Sequence, residues 1–238
     1  MLVVLLTLVA HDLFLKSEYS SGKYKDPYQT YSTLNWKDFD IVDLDGSTAA
    51  NVQFVQGPFS VRIENNALDY VFIRQQGNHL KIEAVFPGNY RFNPNPYILV
   101  ISCPRLSNIF VNATYRANGH EVTDTIVRED WHKRQVLIDG FQQDTLSVVQ
   151  DYGSTVVLAN NHIRSFRASA GKSKGAGSKL ILQQSNIFEE ADLDIDQKSK
   201  LELENALIHS LSYHLADSAQ LIVNGNAQSL LHNSKTHQ

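Results

Sequence analysis

The chain has 238 residues, 42% of them hydrophobic and 19% charged, with a formal charge of −4. That balance fits a folded chain with a real core and not a disordered one, and it lacks the basic excess of a nucleic-acid-binding face, so nucleic acid is not an expected partner. The single cysteine, Cys103 in "YILVISCP", excludes an internal disulfide and any multi-cysteine zinc site and reads as an apolar strand residue.

In chain order, the first feature is "MLVVLLTLVAHDLFL". Leu2 to Ala10 is apolar apart from Thr7, shorter than the roughly 20 helical residues that cross a bilayer, and no basic segment precedes it. Residues 1–15 are therefore expected to be a truncated signal or membrane-anchor segment whose start lies upstream of Met1, giving the chain a membrane partner through its N-terminal apolar segment. Residues 16–35, "KSEYSSGKYKDPYQTYSTLN", read as a polar tether in which Tyr19, Tyr24, Tyr28 and Tyr31 recur. Lys16, Lys23 and Lys25 run the other way, since the positive-inside rule sets such lysines against export.

From Trp36 onward the pattern is one of short alternating runs such as "VQFVQG", "FSVRIEN", "HLKIEAVFP" and "YILVIS", bounded by Gly, Asn, Asp and Ser. Period-two alternation of this length predicts strands with one buried face, and therefore an all-β protein. Two phrases then nearly repeat: "SKLILQQSNI" from Ser178 and "SKLELENALI" from Ser199. Leu180 and Leu182 correspond to Leu201 and Leu203 at a shift of 21, and these to Leu221 and Val223 at a shift of 20. Further columns follow: Ile187, Leu207 and Ala227; Ala191, Leu211 and Leu231; Leu193 with Tyr213; Ile195 with Leu215. Val156, Leu158 and Ile163 precede Leu180, Leu182 and Ile187 by 24 residues.

Repeats of this length, each holding two or three strand-sized pieces, predict a β-solenoid of parallel-paired strands with roughly 20–24-residue coils over residues 36–233, in which like residues lie over like at about 4.8 Å. Extending the period back to Trp36 gives roughly nine coils. Asn160, Asn161, Asn186, Asn205, Asn224 and Asn226 fall at the expected corners, where Asn tolerates left-handed backbone and stacks its amide between coils. "TYRANGHEVTDTIVREDWHKRQ" reads as a hairpin-like excursion, and residues 234–238 as a frayed tail.

"FVQGPFSVRIE", "LKIEA", "ILVISCPRLSNIFVNAT", "FQQDTLSVVQDYGSTVVLANNHI" and the closing S-K-L-x-L segments together resemble the head GIN domain family, adhesin-like domains described mainly from Bacteroidetes. The resemblance covers Asp38 to Leu231 and lies in a distributed pattern, not in a catalytic signature. It implies a right-handed parallel β-helix, an exported or membrane-tethered location at the periplasm or cell surface, and no enzymatic residues. The sequence departs from the family pattern in its glycine-poor "NIFVNAT" and in the excursion from Glu121 to Gln135.

Few constellations suggest chemistry. "GKSKG", Gly171 to Gly175, matches G-x-S-x-G, but the following "AGSKLIL" leads into a strand where a nucleophile elbow needs a helix. In "EEADLDID", alternation turns Leu193 and Ile195 inward and places Asp192, Asp194 and Asp196 on the outer face. Such carboxylates are weak candidates for calcium, which takes six to eight oxygens, or for the paired acids of a glycoside hydrolase or lyase. The next repeat offers Ser212, His214 and Ala216 at the matching positions, so an Asp194–His214 pair is expected, and these two residues are the candidates for a binding surface. The nine histidines show no metal-binding spacing, and the Asn112-Ala-Thr114 sequon carries no specific signal here. The expectation is a non-enzymatic cell-envelope module with no catalytic residues, contacting an envelope protein or carbohydrate; the alternative is a β-helical carbohydrate-active enzyme using Asp192, Asp194 and Asp196.

Overall fold

Alternation does build strands along the chain. The computed structural model describes residues 2–21, 27–87, 97–127, 134–225 and 235–236. After a helix α1 (Leu2–Ser21) come β1 (Tyr31–Leu34), β2 (Ile41–Leu44), β3 (Val52–Gln56), β4 (Ser60–Glu64), β5 (Val71–Gln76), β6 (His79–Phe86), β7 (Leu99–Cys103), β8 (Asn108–Val111), β9 (Thr114–Ala117) and β10 (His120–Thr123). There follow β11 (Val136–Asp139), β12 (Gln142–Gln150), β13 (Thr155–Ala159), β14 (His162–Ala170), β15 (Lys179–Leu182), β16 (Ile187–Ile195), β17 (Lys200–Glu204), β18 (Leu207–Leu215), β19 (Gln220–Asn224) and β20 (Lys235–Thr236). The strands form two sheets. The first runs β1-β4-β7-β3-β11-β13-β15-β17-β19; the second runs β10-β9-β6-β2-β8-β12-β14-β16-β18-β20, with β5 on β6.

From β11 onward, successive strands alternate between the sheets and pair in parallel. Leu180 and Leu182 pair with Leu201 and Leu203, and these with Leu221 and Val223. On the facing sheet Ala191, Leu193 and Ile195 pair with Leu211, Tyr213 and Leu215. The inward side chains merge into one hydrophobic cluster drawn from both sheets. Ile187 does pair with Leu207, but both lie toward the surface; the interior column one residue on is Ile163, Phe188 and Ile208, and Phe188 stacks on Phe166 at 4.8 Å. Ala227, Leu231 and Asn226 lie outside the described residues.

The corners that join the sheets are stacked too. Gly140, Asn160, Ser185, Asn205 and Gly225 occupy one corner position, all at positive φ, where Gly and Asn meet the least steric cost. The next residue inward carries a buried amide ladder: Asn161 Oδ1 accepts from Phe141 N–H at 2.9 Å, its Nδ2 donates to Ile138 O at 2.9 Å, and Asn186 Oδ1 accepts from both Asn161 N–H and Nδ2. At the opposite corner Ser154, Ser178 and Ser199 are fully buried, and Ser178 N–H donates to Ser199 Oγ at 3.1 Å. The serine opening each repeated phrase is thus an interior corner residue.

The expectation of a right-handed parallel β-helix is overturned by the sheet topology. Both sheets are large and mixed: β1–β4, β4–β7, β5–β6 and β9–β10 pair antiparallel. Nor does spatial order follow chain order, because β3 sits between β7 and β11, and β2 between β6 and β8. The repeat is confined to the C-terminal half, and counting it back to Trp36 assigned windings to residues that form hairpins. Alternation is blind to strand direction, so antiparallel and parallel runs look alike in sequence.

The excursion after β8 is a hairpin, β9–β10. Beyond it, Asp124 to Val127 lies across the corners of the parallel strands: Gly153 N–H donates to Asp124 O at 2.6 Å, and Gly177 N–H to Thr125 O at 2.8 Å. A Cβ on Gly153 would fall 2.3 Å from Ile126 O, so glycine is what lets the two backbones meet. Residues 128–133 lie outside the described residues.

The membrane contact expected through the N-terminal apolar segment is also corrected. The apolar run continues as a single helix through Asp12 and Lys16, which pair at 2.8 Å, and among the described residues no helix is long and apolar enough to cross a membrane. The helix spans the boundary drawn at residue 15, and β1 falls within residues 16–35; Lys23, Tyr24 and Lys25 are outside the described residues. One prediction follows from the amide ladder. Asn161→Ala strands Phe141 N–H and Ile138 O in the interior, and should cost about 2–4 kcal/mol, read as a lowered urea midpoint with an unchanged slope.

Candidate functional site

The acidic strip lies on the outer face of the second sheet because β16 alternates as its sequence predicts: Ala191, Leu193 and Ile195 are buried, while Asp192 and Asp194 face outward. Parallel register sets Asp192 beside Arg167 and Ser212, and Asp194 beside Ser169 and His214. His214 Nδ1 lies 2.9 Å from Asp194 Oδ1, the pairing anticipated from sequence. Asp196 is one residue past β16, at the corner, where its N–H donates to Ala170 O.

The residue that organises these groups was not anticipated. Lys172, in the "GKSKG" corner between β14 and β15, donates through Nζ to Asp194 Oδ2 and approaches Asp196 Oδ2 at 2.7 Å. The only sequence signal for it is the length of that corner, eight residues from Gly171 to Ser178, against the four from Asp196 to Ser199 between β16 and β17. Ser173, the serine of the G-x-S-x-G match, has its hydroxyl on Asp151 Oδ2 at 2.5 Å and its N–H on Asp151 Oδ1 at 3.1 Å. It caps a corner and has no helix after it.

The electrostatics follow from these contacts. Partial burial alone would raise the Asp194 carboxyl, but the hydrogen bonds from Lys172 and His214, with their charges, outweigh it and hold the group below its ordinary value of 3.8. Lys172 is the reciprocal case: desolvation disfavours its charge, and Asp194 and Asp196 more than restore it, raising its affinity for the proton. Asp194, Asp196 and His214 each bring a ligand atom within 4.8 Å of the others. Two carboxylates and one imidazole are fewer oxygens than calcium takes, and the Lys172 ammonium already lies against both acids. Asp192 does not join this group. It lines a shallow groove of about 190 Å³ with Ser147, Val149, Arg167, Ser169 and Asp194.

The same face carries a second set of cross-strand pairs, His209 to Glu189 at 2.7 Å and His162 to Glu189 at 3.9 Å. His232 lies outside the described residues. Asn112 accepts from Thr114 N–H at 3.0 Å, so the sequon asparagine closes a local turn.

No family model matches the chain, and no curated protein matches it. Among solved structures it is similar to a "putative adhesin" from Parabacteroides distasonis ATCC 8503, at 13% identity and a TM-score of 0.55, over 81% of this chain and 72% of that one. A second protein so described, from Bacteroides fragilis NCTC 9343, is 10% identical with a TM-score of 0.46, over 87% of this chain and 93% of that one. A third, from Parabacteroides merdae ATCC 43184, is 14% identical with a TM-score of 0.38, over 87% and 94%. At these identities only the first comparison speaks, and it speaks to fold.

Two predictions follow from the strip. Because the folded Asp194 carboxyl sits below its ordinary value of 3.8, it stabilises the fold above that pH, and the contribution disappears as pH falls through the depressed value. Asp194→Asn should therefore flatten the acid limb of the stability curve below about pH 4 and, since the group is well exposed, change neutral-pH stability by less than about 1 kcal/mol; urea midpoints from pH 2.5 to 7 read both. Calcium must displace Lys172 to use Asp194 and Asp196, so Lys172→Ala should bind calcium more tightly than the parent chain in calorimetric titration. Equal affinities would show that the ammonium does not occupy the cation position.

Proposed function

We propose that this chain is a non-catalytic binding module of the cell envelope, contacting its partner through the outer face of the second sheet. The observation that carries the reading is the state of Asp194. A glycosidase or lyase acting through this strip needs a carboxyl held protonated or a base free to take a proton. Asp194 is instead held ionised, with both oxygens engaged by Lys172 and His214. Asp194 and Asp196 share the Lys172 ammonium, and Asp194 also meets the His214 ring, so these groups present paired donors and acceptors in place of a reactive pair.

The envelope location rests on the likeness to the Parabacteroides distasonis structure described as a "putative adhesin" and on the resemblance to the head GIN domains. An extended, flat polar face is suited to an extended ligand, because a parallel sheet repeats its outward residues at each strand spacing of about 4.8 Å. The test is incubation of the full chain with purified capsular and cell-wall polysaccharides, scored by co-sedimentation and by release of reducing or unsaturated ends. Binding without product supports the reading. Product formation that is lost in Asp194→Asn would establish the carbohydrate-active enzyme in its place.

A further inference from the structure

A larger groove than the one beside the acidic strip lies elsewhere on the described surface. It has a volume of about 490 Å³ and lies where antiparallel strands adjoin the parallel ones. Its floor is the outer face of β5 and β6, with Phe72 and Arg74 from one strand and Lys81 and Glu83 from the other. Its wall is the β9–β10 hairpin, which brings Arg116.

The wall is built to stay in place. Tyr115 packs edge-on against Phe86 at 5.7 Å, and Phe86 in turn lies 5.0 Å from Tyr70. Gly46, at φ +77, leaves room beneath: a Cβ there would fall 2.9 Å from Ala84 Cβ and 3.3 Å from Tyr115 Cβ. The Thr114 and Thr123 hydroxyls tie the two hairpin strands at 3.0 Å.

The groove's chemistry is specific in kind. Phe72 exposes 43% of its surface at the floor, an apolar ring face among charged neighbours. Lys81 sits between Asp45 at 3.7 Å and Glu83 at 3.5 Å, and Arg74 reaches Glu83 at 3.5 Å. Across the hairpin Arg116 stands opposite Glu121, both exposed and with no ion pair between them. Three cations and three carboxylates line one groove, so no net field selects a charged ligand. Cationic donors and carboxylate acceptors stand together beside an aromatic side chain, which is the complement of a pyranose: hydroxyls at the ring edge and C–H bonds on its face.

We infer that the groove between the β5–β6 floor and the β9–β10 hairpin binds a neutral oligosaccharide, one ring stacked on Phe72 and its hydroxyls shared among Lys81, Glu83 and Arg116. This rests on the proposed binding role and locates it away from the acidic strip. The test uses the full chain with maltotetraose, cellotetraose, mannotetraose and chitotetraose, each at millimolar concentration, in ligand-observed saturation-transfer NMR, with tetragalacturonate as the charged comparison. At least one neutral probe should receive transfer. Phe72→Ala and Arg116→Ala should each weaken that binding about tenfold, the loss of a stacked face or of a charge-assisted hydrogen bond, while Glu202→Gln, on the outer face of the other sheet, leaves it unchanged. Circular dichroism checks that both groove variants, which change exposed side chains, remain folded.

Absence of transfer from all four neutral probes, binding unaffected by Phe72→Ala and Arg116→Ala, or tighter and salt-sensitive binding of tetragalacturonate overturns the inference. Shortened oligosaccharides in the same spectra would instead overturn the non-catalytic reading, wherever the sugar binds.

Discussion

In the C-terminal half, each strand must satisfy its backbone on a parallel neighbour while delivering its inward side chains to a core shared with the facing sheet. A shift of one residue would keep every backbone hydrogen bond and turn the whole aliphatic set into water. The register is therefore fixed by the columns themselves: Leu182 over Leu203 over Val223 in one sheet, Ala191 beside Leu211 in the other. The corners obey the same rule. Polar backbone buried there needs partners, and Asn161, Asn186 and Ser199 supply them.

Surface chemistry follows from the interior. Once inward residues are stacked, outward ones are stacked as well, so Asp194 meets His214, Glu189 meets His209, and Lys179 reaches Glu202 at 2.8 Å. A regular stack tends in this way to neutralise its own charged face. Distinct ligand chemistry then has to come from where regularity breaks. One break is the lengthened corner that carries Lys172 to the acidic strip; the other is the N-terminal half, where antiparallel strands raise a wall and open a groove.

The same division explains what the sequence reveals. Leucine columns, the strand positions of the C-terminal half, the corner asparagines Asn160, Asn161, Asn186 and Asn205 and the Asp194–His214 pair were legible, because a repeated environment writes itself as a repeated residue; Asn224, also expected at a corner, instead ends β19. Lys172 was not, since it acts across 22 residues from inside an insertion that matches nothing else. The placement of β3 between β7 and β11 leaves no periodic trace, and hairpins such as β5–β6 share the alternation of parallel strands. Projecting the repeat over the whole chain therefore gave a uniform helix of strands where two mixed sheets exist. The groove was invisible for a similar reason: the β5–β6 hairpin that carries Phe72 and Lys81 meets Arg116 of β9 only through tertiary pairing.

Register can be read directly by cross-linking on the outer face of the first sheet, where Glu202 pairs with Ile222. The native Cys103 does not compete, being buried with its thiol pushed up to about 12 by burial and the Asp40 charge. Glu202→Cys combined with Ile222→Cys should form an intramolecular disulfide under mild oxidation, and Glu202→Cys combined with Leu221→Cys should not, because Leu221 points to the opposite face. Cross-linking of the shifted pair in preference to the aligned one would contradict the stacked register and every surface pairing that depends on it.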